Sequence, residues 1–269
     1  MKKILSLLLV FCIGTAFGYC VFCIGTAFGY CVFSIQSKAV QNNFDQENIF
    51  STESTQLPTE TEFFEVPLSN EISDFPYTLQ TPELPTGCEI TALTMVLNYY
   101  GYSVDKTTMA DVYLPTAPDN MYYDEYGIMH GADLNDYFIG DPESVYGYVC
   151  GTNAIVTAAN SYLSDAYSSL SAKDITGYSP DELYELVSLD VPIVVWITID
   201  MMERSETYGW YTDDGSYVEW SQSDHCGVLV GYTDDTVIIA DPLNGRTEYS
   251  RSDFESVYFS RGCHGVILE

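Results

Sequence analysis

The chain has 269 residues, enough for one large domain or two small ones, and 46% of them are hydrophobic, which suffices for a packed core. Nine Lys and Arg residues stand against 39 Asp and Glu residues, giving a formal net charge of −30. A surface of this charge repels phosphate backbones and anionic membranes. We therefore expect no nucleic-acid partner, and the acidic excess is typical of a protein that stays soluble outside a cell.

The N-terminus carries the pattern of a membrane-targeting segment. Met1-Lys2-Lys3 precede an uncharged run from Ile4 to Ile35, as in a transmembrane helix with a basic cytoplasmic flank. Within this run, residues 10–20 are repeated without change as residues 21–31. We predict that residues 1–35 form an uncleaved signal anchor with the N-terminus inside. The alternative is cleavage after one of the two Ala-Phe-Gly repeats, which would release a secreted protein.

Two regions of different composition follow the apolar run. Residues 36–74 are rich in Ser, Thr, Gln and Glu, and between Gln41 and Asp74 there are eight acidic residues and no basic one. This composition favours an extended, disordered stalk that holds the rest of the chain away from the membrane. Residues 75–269 have the apolar periodicity of a folded domain.

Helical patterns come first in this domain. Apolar residues at helical spacing predict a helix over residues 92–100 that ends at Gly101. Ser179 followed by Pro180 is typical of a helix start, with serine as the cap and proline in the first turn. Residues 114–140 read as a loop. Further helices are predicted at residues 106–113 and 153–163.

Strand patterns dominate the C-terminal half. Val191–Ile199 is a near-continuous apolar run, which predicts a central strand buried on both faces. A turn at Asp213-Asp214-Gly215 between aromatic segments predicts a hairpin or a loop excursion over residues 208–220. An order in which helices come first and an antiparallel sheet follows is typical of the α+β class. The other predicted strands are His225–Tyr232, Thr236–Asp241 and Gly265–Leu268.

One cysteine stands where a nucleophile would be placed. In the stretch Leu84–Leu93, a turn containing Pro85 and Gly87 leads into the first helix, and Cys88 lies at the junction. Unpaired N–H groups and the positive end of the helix dipole both favour a thiolate there. The hypothesis is that Cys88 is the nucleophile of a cysteine hydrolase; the alternative is a buried structural thiol.

A nucleophilic cysteine needs a base, and a third group that orients the base. The histidines of the chain are His130, His225 and His264. If the turn after the strand at His225 is centred on residues 233–234, residues whose numbers sum to about 466–468 face each other. His225 then lies opposite or diagonal to Asp241 on the same face of the sheet, within about 4.5–8 Å. His225 and Asp241 are therefore the predicted base and orienting group.

Three further residues receive weaker predictions. Gln80 precedes the nucleophile by eight residues, and its amide could help the Cys88 N–H hold an oxyanion. His130, in a loop rich in Gly and Asp, is a second-choice base or a surface residue. His264 follows Cys263 in the chain, but adjacent strand residues point to opposite faces and cannot chelate a metal together. We expect neither a metal nor a cofactor.

The cysteine pattern does not predict a disulfide framework. Four of the eight cysteines lie in the N-terminal apolar run. If Cys88 is a free thiol, at most one disulfide can form among the remaining three, and no C-x-x-C pair suggests structural zinc. The four in the folded domain are Cys88, Cys150, Cys226 and Cys263.

Several of these motifs together resemble a bacterial family, the peptidase-like family related to the double-glycine leader peptidases of bacteriocin exporters. The resemblance covers roughly residues 75–269 and is carried by four segments: Gln80–Glu89, Leu97–Gly101, Ser179–Tyr184, and His225–Tyr232 with Asp241-Pro242. It implies a papain-like α+β fold with a Cys–His–Asp triad at Cys88, His225 and Asp241, and Gln80 as oxyanion donor.

The chain also departs from that family. Bacteriocin-processing relatives have a Gln-to-Cys spacing shorter by two residues than that between Gln80 and Cys88, which makes Gln80 the least secure of the four residues. No ATP-binding or multi-span transporter part is visible, so export-coupled leader cleavage is not implied.

The function expected from the sequence is that of an extracellular, membrane-anchored cysteine peptidase acting on a peptide or protein. A transferase or amidase with the same triad is the nearest variant. The alternative is a catalytically silent surface module of the same fold that binds peptide or cell-wall polymer.

Overall fold

The computed structural model describes residues 67–269. The predicted signal anchor and most of the predicted stalk lie outside the described residues. Within residues 67–269, no helix combines the length and apolar character needed to cross a membrane.

Five α-helices are present in the described part of the chain, and they follow the predicted positions with one addition. The first begins at Cys88, directly after the turn that contains Pro85 and Gly87, and Gly101 with φ +90° follows its end. Ser179 caps the helix that begins at Pro180, as predicted, and it also forms a capping box with Glu182. The helices are α1 (Cys88–Tyr99), α2 (Lys106–Thr108, continued by a π-helical turn at Met109–Tyr113), α3 (Thr152–Asp165), α4 (Pro180–Ser188) and α5 (Arg251–Ser260).

Thirteen strands lie in the same region, several of them only two residues long. The strands are β1 (Asn70–Glu71), β2 (Thr116–Ala117), β3 (Tyr122–Tyr123), β4 (Met129–His130), β5 (Phe138–Ile139), β6 (Ala172–Asp174), β7 (Ile193–Thr198), β8 (Thr207–Tyr211), β9 (Tyr217–Ser221), β10 (Asp224–Tyr232), β11 (Thr236–Asp241), β12 (Gly245–Ser250) and β13 (Gly265–Leu268).

The main sheet has seven strands in the order β12-β11-β10-β7-β13-β6, and β1 also pairs with β10. All pairs in this sheet are antiparallel. A second sheet, β3-β4-β8-β9, contains the predicted hairpin between residues 208 and 220, and β2 and β5 form a short parallel pair. The predicted α+β class with an antiparallel sheet is confirmed.

The core lies between α1 and the main sheet. Helix α1 packs against β10 and β7, and all six residues of β7 are buried, as the apolar run predicts. Leu93, Met95 and Leu97 of the helix are fully buried, as are Val195 and Val228 of the sheet. Burial of each such side chain stabilises the fold by roughly 1.5–3 kcal/mol, so this packing fixes the position of the helix on the sheet.

The C-terminal region differs from the predicted order of helices first and sheet last. Helix α5 lies between β12 and β13, so one helix interrupts the strands. It is mostly polar, and only Phe254, Val257 and Tyr258 are buried, which leaves a weak helical pattern in the sequence. Strand β12 is also polar, and its residues alternate between half-buried and exposed positions. An edge strand of this kind lacks the apolar alternation by which strands are recognised.

Candidate active site

Cys88 is the first residue of α1 and is 5% exposed. The Gly87 N–H donates a hydrogen bond to the Leu84 carbonyl at 3.1 Å, which closes the turn that precedes the helix. A Cβ atom at Gly87 would lie 2.9 Å from Leu84 Cβ, so the turn needs glycine for close packing. The N–H groups of the first helical turn have no intrahelical acceptor, which leaves the Cys88 N–H free to bind an oxygen.

Cys88 opens onto a cleft of about 580 Å³. His225 and Gln80 line the same cleft, together with Tyr148 and Trp220. The fold therefore brings three of the four predicted site residues to one surface, although they come from α1, from β10 and from the segment before α1. Their catalytic roles remain predictions.

The fourth residue, Asp241, lies behind His225. Strands β10 and β11 pair with Val228 opposite Ala240, and continuing this register places Asp241 diagonal to His225 on the same face. His225 Nε2 lies 2.9 Å from Asp241 Oδ1, and both side chains are buried. The hydrogen-bonded pair of His225 and Asp241 is therefore the one that the predicted strand register indicates. With Nε2 engaged by Asp241, Nδ1 is the ring nitrogen that can accept a proton from a thiol.

Asp241 is held as a carboxylate by several donors. The Leu243 N–H donates to Oδ1 at 2.7 Å, and the Tyr249 hydroxyl donates to Oδ2 at 3.1 Å. Burial raises the pKa of Asp241, but the hydrogen bond from His225 and those from Leu243 and Tyr249 outweigh it and hold the pKa below its usual value. Burial and the Asp241 charge raise the pKa of Tyr249, so its hydroxyl stays a donor.

Gln80 is fixed on both sides. Its backbone N–H donates to the Pro242 carbonyl at 2.7 Å, which ties it to the residue after Asp241. Its side-chain Nε2 donates to the Pro85 carbonyl at 2.8 Å, and its Oε1 is buried without a partner among the described residues. One hydrogen of Nε2 remains for another acceptor, which is compatible with an oxyanion role.

Glu89 is the residue of the site that sequence reasoning gave no role. It is 1% exposed; Oε1 accepts from the Cys150 N–H at 3.0 Å, and Oε2 accepts from Cys88 Sγ at 3.3 Å. Burial raises the pKa of Glu89. The available signal was an acidic residue directly after the cysteine on a helix that has no other charged residue, because a carboxyl is rarely buried without a specific partner.

The environment of the Cys88 thiol differs from the sequence-based expectation. A helix N-terminus favours the thiolate, but here burial raises the pKa of Cys88 well above its usual value, and the Glu89 carboxylate raises it further. The resting side chain is therefore a neutral thiol that donates to Glu89. A thiolate has to be formed by proton transfer to a base.

The remaining histidines and cysteines lie elsewhere. His130 contacts Asp124 at 3.2 Å in the second sheet and does not line the cleft. His264 lines a separate cavity of about 340 Å³. The cysteines of the described region are all free thiols, and Cys150 and Cys226 are fully buried.

A papain-like α+β fold, in which a cysteine in the first turn of a helix and a strand histidine face one cleft, defines a cysteine-peptidase-like protein. Residues 72–266 match the Peptidase_C39 like family, and the chain belongs to that family. The predicted relation to the double-glycine leader peptidases is confirmed at this level.

The chain is also similar to individual proteins. The chain is 31% identical over 194 residues to the uncharacterized protein YvpB of Bacillus subtilis (strain 168). The aligned region covers 71% of this chain and 72% of YvpB. A crystal structure from Bacillus anthracis, classed as a C39-like peptidase, is similar with a TM-score of 0.65 and 28% identity over 75% of this chain and 97% of that chain.

Proposed function

We propose that this protein is a cysteine peptidase that hydrolyses peptide or amide bonds through Cys88, His225 and Asp241. The observation that carries the proposal is the shared cleft: Cys88 and His225 line it together, and a buried aspartate orients the histidine at 2.9 Å. Membership in the Peptidase_C39 like family supports the same class of chemistry.

In the first half of the proposed reaction, Cys88 Sγ attacks the carbonyl carbon of the bound substrate. His225 Nδ1 takes the thiol proton, and Asp241 stabilises the imidazolium that results. The oxyanion accepts hydrogen bonds from the Cys88 N–H and from Gln80 Nε2. The carbon–nitrogen bond then breaks, and His225 gives its proton to the leaving amine.

In the second half, water hydrolyses the thioester. His225 accepts a proton from the water as the water attacks the acyl carbon, and it returns the proton to Cys88 Sγ when the carbon–sulfur bond breaks. Each oxyanion donor of this type contributes about 2.7–4 kcal/mol to transition-state stabilisation where one has been removed and measured.

The test combines hydrolysis and labelling. Incubation of the protein with a peptide library, followed by mass spectrometry, should reveal cleaved bonds that disappear in Cys88→Ala. Iodoacetamide should modify Cys88 near neutral pH and inhibit cleavage, and His225→Ala should slow both reactions by about 10²–10⁴-fold. His130→Ala is the matched control and should leave both unchanged. Cleavage that survives in Cys88→Ala would refute the proposal.

We also propose that the peptidase acts outside the cell from a membrane anchor at residues 1–35. The support is the basic flank at Lys2 and Lys3, followed by the uncharged run to Ile35. Fractionation of cells should place the protein in the membrane, and protease added to intact cells should remove the catalytic domain. Recovery from the culture medium of a chain that lacks the N-terminal apolar run would favour the cleaved, secreted form.

One observation favours the second candidate, a surface module without catalysis. Burial and Glu89 raise the pKa of the Cys88 thiol, and a neutral thiol is a poor nucleophile. Such a module would bind peptide or cell-wall polymer in the same cleft. A protein that binds peptides while Cys88 stays unlabelled by iodoacetamide, and that cleaves none of them, would establish this candidate.

A further inference from the structure

A second cavity, of about 340 Å³, lies next to the proposed catalytic cleft, and Val149 lines both. Arg204, Arg261 and His264 line the second cavity. The chain has only nine Lys and Arg residues against 39 acidic ones, so two arginines in one small cavity are a local concentration of basic groups, although Glu219 also lines it.

The carboxylate nearest to these arginines is already engaged. Arg204 binds Asp224 in a bidentate pair, with Nε 2.9 Å from Oδ1 and Nη2 2.9 Å from Oδ2. The Ser221 N–H also donates to Asp224 Oδ2, at 3.0 Å. Arg204 has a further acceptor in Glu219, which its Nη1 contacts. The Arg204 guanidinium thus has an acceptor for each of its three nitrogens. Asp224 has little capacity left to accept further hydrogen bonds.

Arg261 is not supplied in the same way. Its side chain is 11% exposed, and Nη2 approaches Asp224 Oδ2 at 3.3 Å. Within the described residues its side chain donates no hydrogen bond, and its Nε is fully buried without an acceptor. A guanidinium has five N–H donors, and a buried one without acceptors is costly. Burial lowers the pKa of Arg261 despite the nearby Asp224, which agrees with an undercompensated charge.

We propose that this cavity is a binding subsite for a carboxylate, and that its ligand is the free carboxylate of a peptide. The carboxylate would accept hydrogen bonds from the Nη groups of Arg261, because Nε is fully buried, while the Asn135 side chain and His264 offer further polar contacts. The choice of a peptide rests on the proposed peptidase function. The anion site itself rests on Arg261.

The test measures binding in the Cys88→Ala background, so that a failure to detect hydrolysis does not affect it. The chain has three histidines, and the ring resonances of His264 can be assigned by comparison with His264→Gln. Proton NMR in nonionic detergent would follow His264 during titration with acetyl-Ala-Ala carrying a free carboxylate, or with the same peptide amidated. The free acid should shift His264 saturably, and the amide should not.

Variants and a second anion complete the experiment. Arg261→Gln should weaken binding of the free acid at least tenfold, whereas Arg246→Gln, which removes an arginine paired with Glu71 on the surface, should not. The His130 resonances report whether each variant is folded. Equal shifts with acid and amide, or unchanged binding to folded Arg261→Gln, would overturn the site. Tighter binding of inorganic phosphate than of the peptide acid would overturn the assignment of the ligand.

Discussion

At the scale of single residues, Glu89 is the charged group that acts on the thiol of the proposed nucleophile. Its carboxylate lies 3.3 Å from Cys88 Sγ and raises the pKa of the thiol, in addition to the larger effect of burial. A neutral amide at this position would keep an oxygen for the Cys150 N–H and could donate to a thiolate. The charge of Glu89, rather than its shape, therefore opposes thiolate formation.

Glu89→Gln should accordingly increase the rate at which iodoacetamide modifies Cys88 near neutral pH, because removing the charge lowers the pKa of the thiol and raises the thiolate fraction. Peptide mapping by mass spectrometry would measure the rate at Cys88 alone. Glu125→Gln, which removes an exposed carboxylate, is the control and should have no effect. An unchanged rate in Glu89→Gln would show that burial alone determines the thiol pKa.

Asp241 contributes a pH-dependent part of the stability. Its pKa is lowered in the folded state, so its contribution is present above the unfolded pKa of about 3.9 and is lost as pH falls through the folded value. Asp241→Asn should reduce the free energy of unfolding by about 1–3 kcal/mol at neutral pH, since hydrogen bonds to a buried charge are weakened.

Urea unfolding of wild type and Asp241→Asn at several pH values would check this expectation. The difference between the two proteins should be largest at neutral pH and shrink below about pH 4. Asp235→Asn, at an exposed turn position, should not differ from wild type. A difference that stays constant down to pH 3 would mean that the Asp241 charge adds nothing to stability.

At the scale of elements, the pairing of β1 with β10 depends on a glycine. Register in the β10–β11 pair shifts between Leu229 and Gly231, and Gly231 also pairs with Glu71 of β1. A Cβ at Gly231 would lie 2.8 Å from Ile238 Cδ1 and 2.9 Å from the Asn70 carbonyl oxygen. The second neighbour is backbone, which cannot move without displacing β1.

Gly231→Ala should therefore lower the free energy of unfolding by about 1–3 kcal/mol, the usual cost of overpacking. Denaturant unfolding would measure it. The labelling rate of Cys88 in the folded protein should stay as in wild type, because the shifted register lies at the other end of β10 from His225. Full stability in Gly231→Ala would show that β1 contributes little to the sheet.

Elements with a strong local pattern were predictable, and those without one were not. The His225–Asp241 pair follows from a short turn and a period of two, both of which are encoded within seventeen consecutive positions. Helix α5 was missed because its apolar face consists of three residues. The contact between Gln80 and Pro242 has no local signal, because the two residues lie far apart in the chain and meet only through the packing of α1 on the sheet.

At the scale of the whole molecule, the placement of Cys88 and His225 in one cleft is the feature of the candidate site that sequence periodicity could not predict. The two residues lie on elements separated by most of the domain, and the antiparallel sheet order sets β10 beside β7, under α1. Family resemblance supplied the expectation that they meet, since it carries the fold as a unit. The effect of Glu89 on the thiol could not be predicted in this way. It depends on the burial of Glu89, which exists only in the folded protein.

The net charge of −30 leads us to expect that the thermal stability of the protein depends on salt concentration. Like charges on a compact surface repel one another, and the repulsion is relieved when the chain unfolds. Salt screens this repulsion, with a Debye length of about 10 Å at 0.1 M and about 3 Å at 1 M.

Raising NaCl from low concentration to about 0.5 M at pH 7 should therefore increase the melting temperature by about 2–4 °C, which corresponds to roughly 1 kcal/mol for a domain of this size. Differential scanning calorimetry would measure it, and KCl at equal ionic strength should give the same shift, because screening depends on ionic strength alone. A fall in melting temperature would mean that attractive pairs such as Arg204 with Asp224 outweigh the repulsion. The expected sign follows because the carboxylates greatly outnumber the cations that could pair with them.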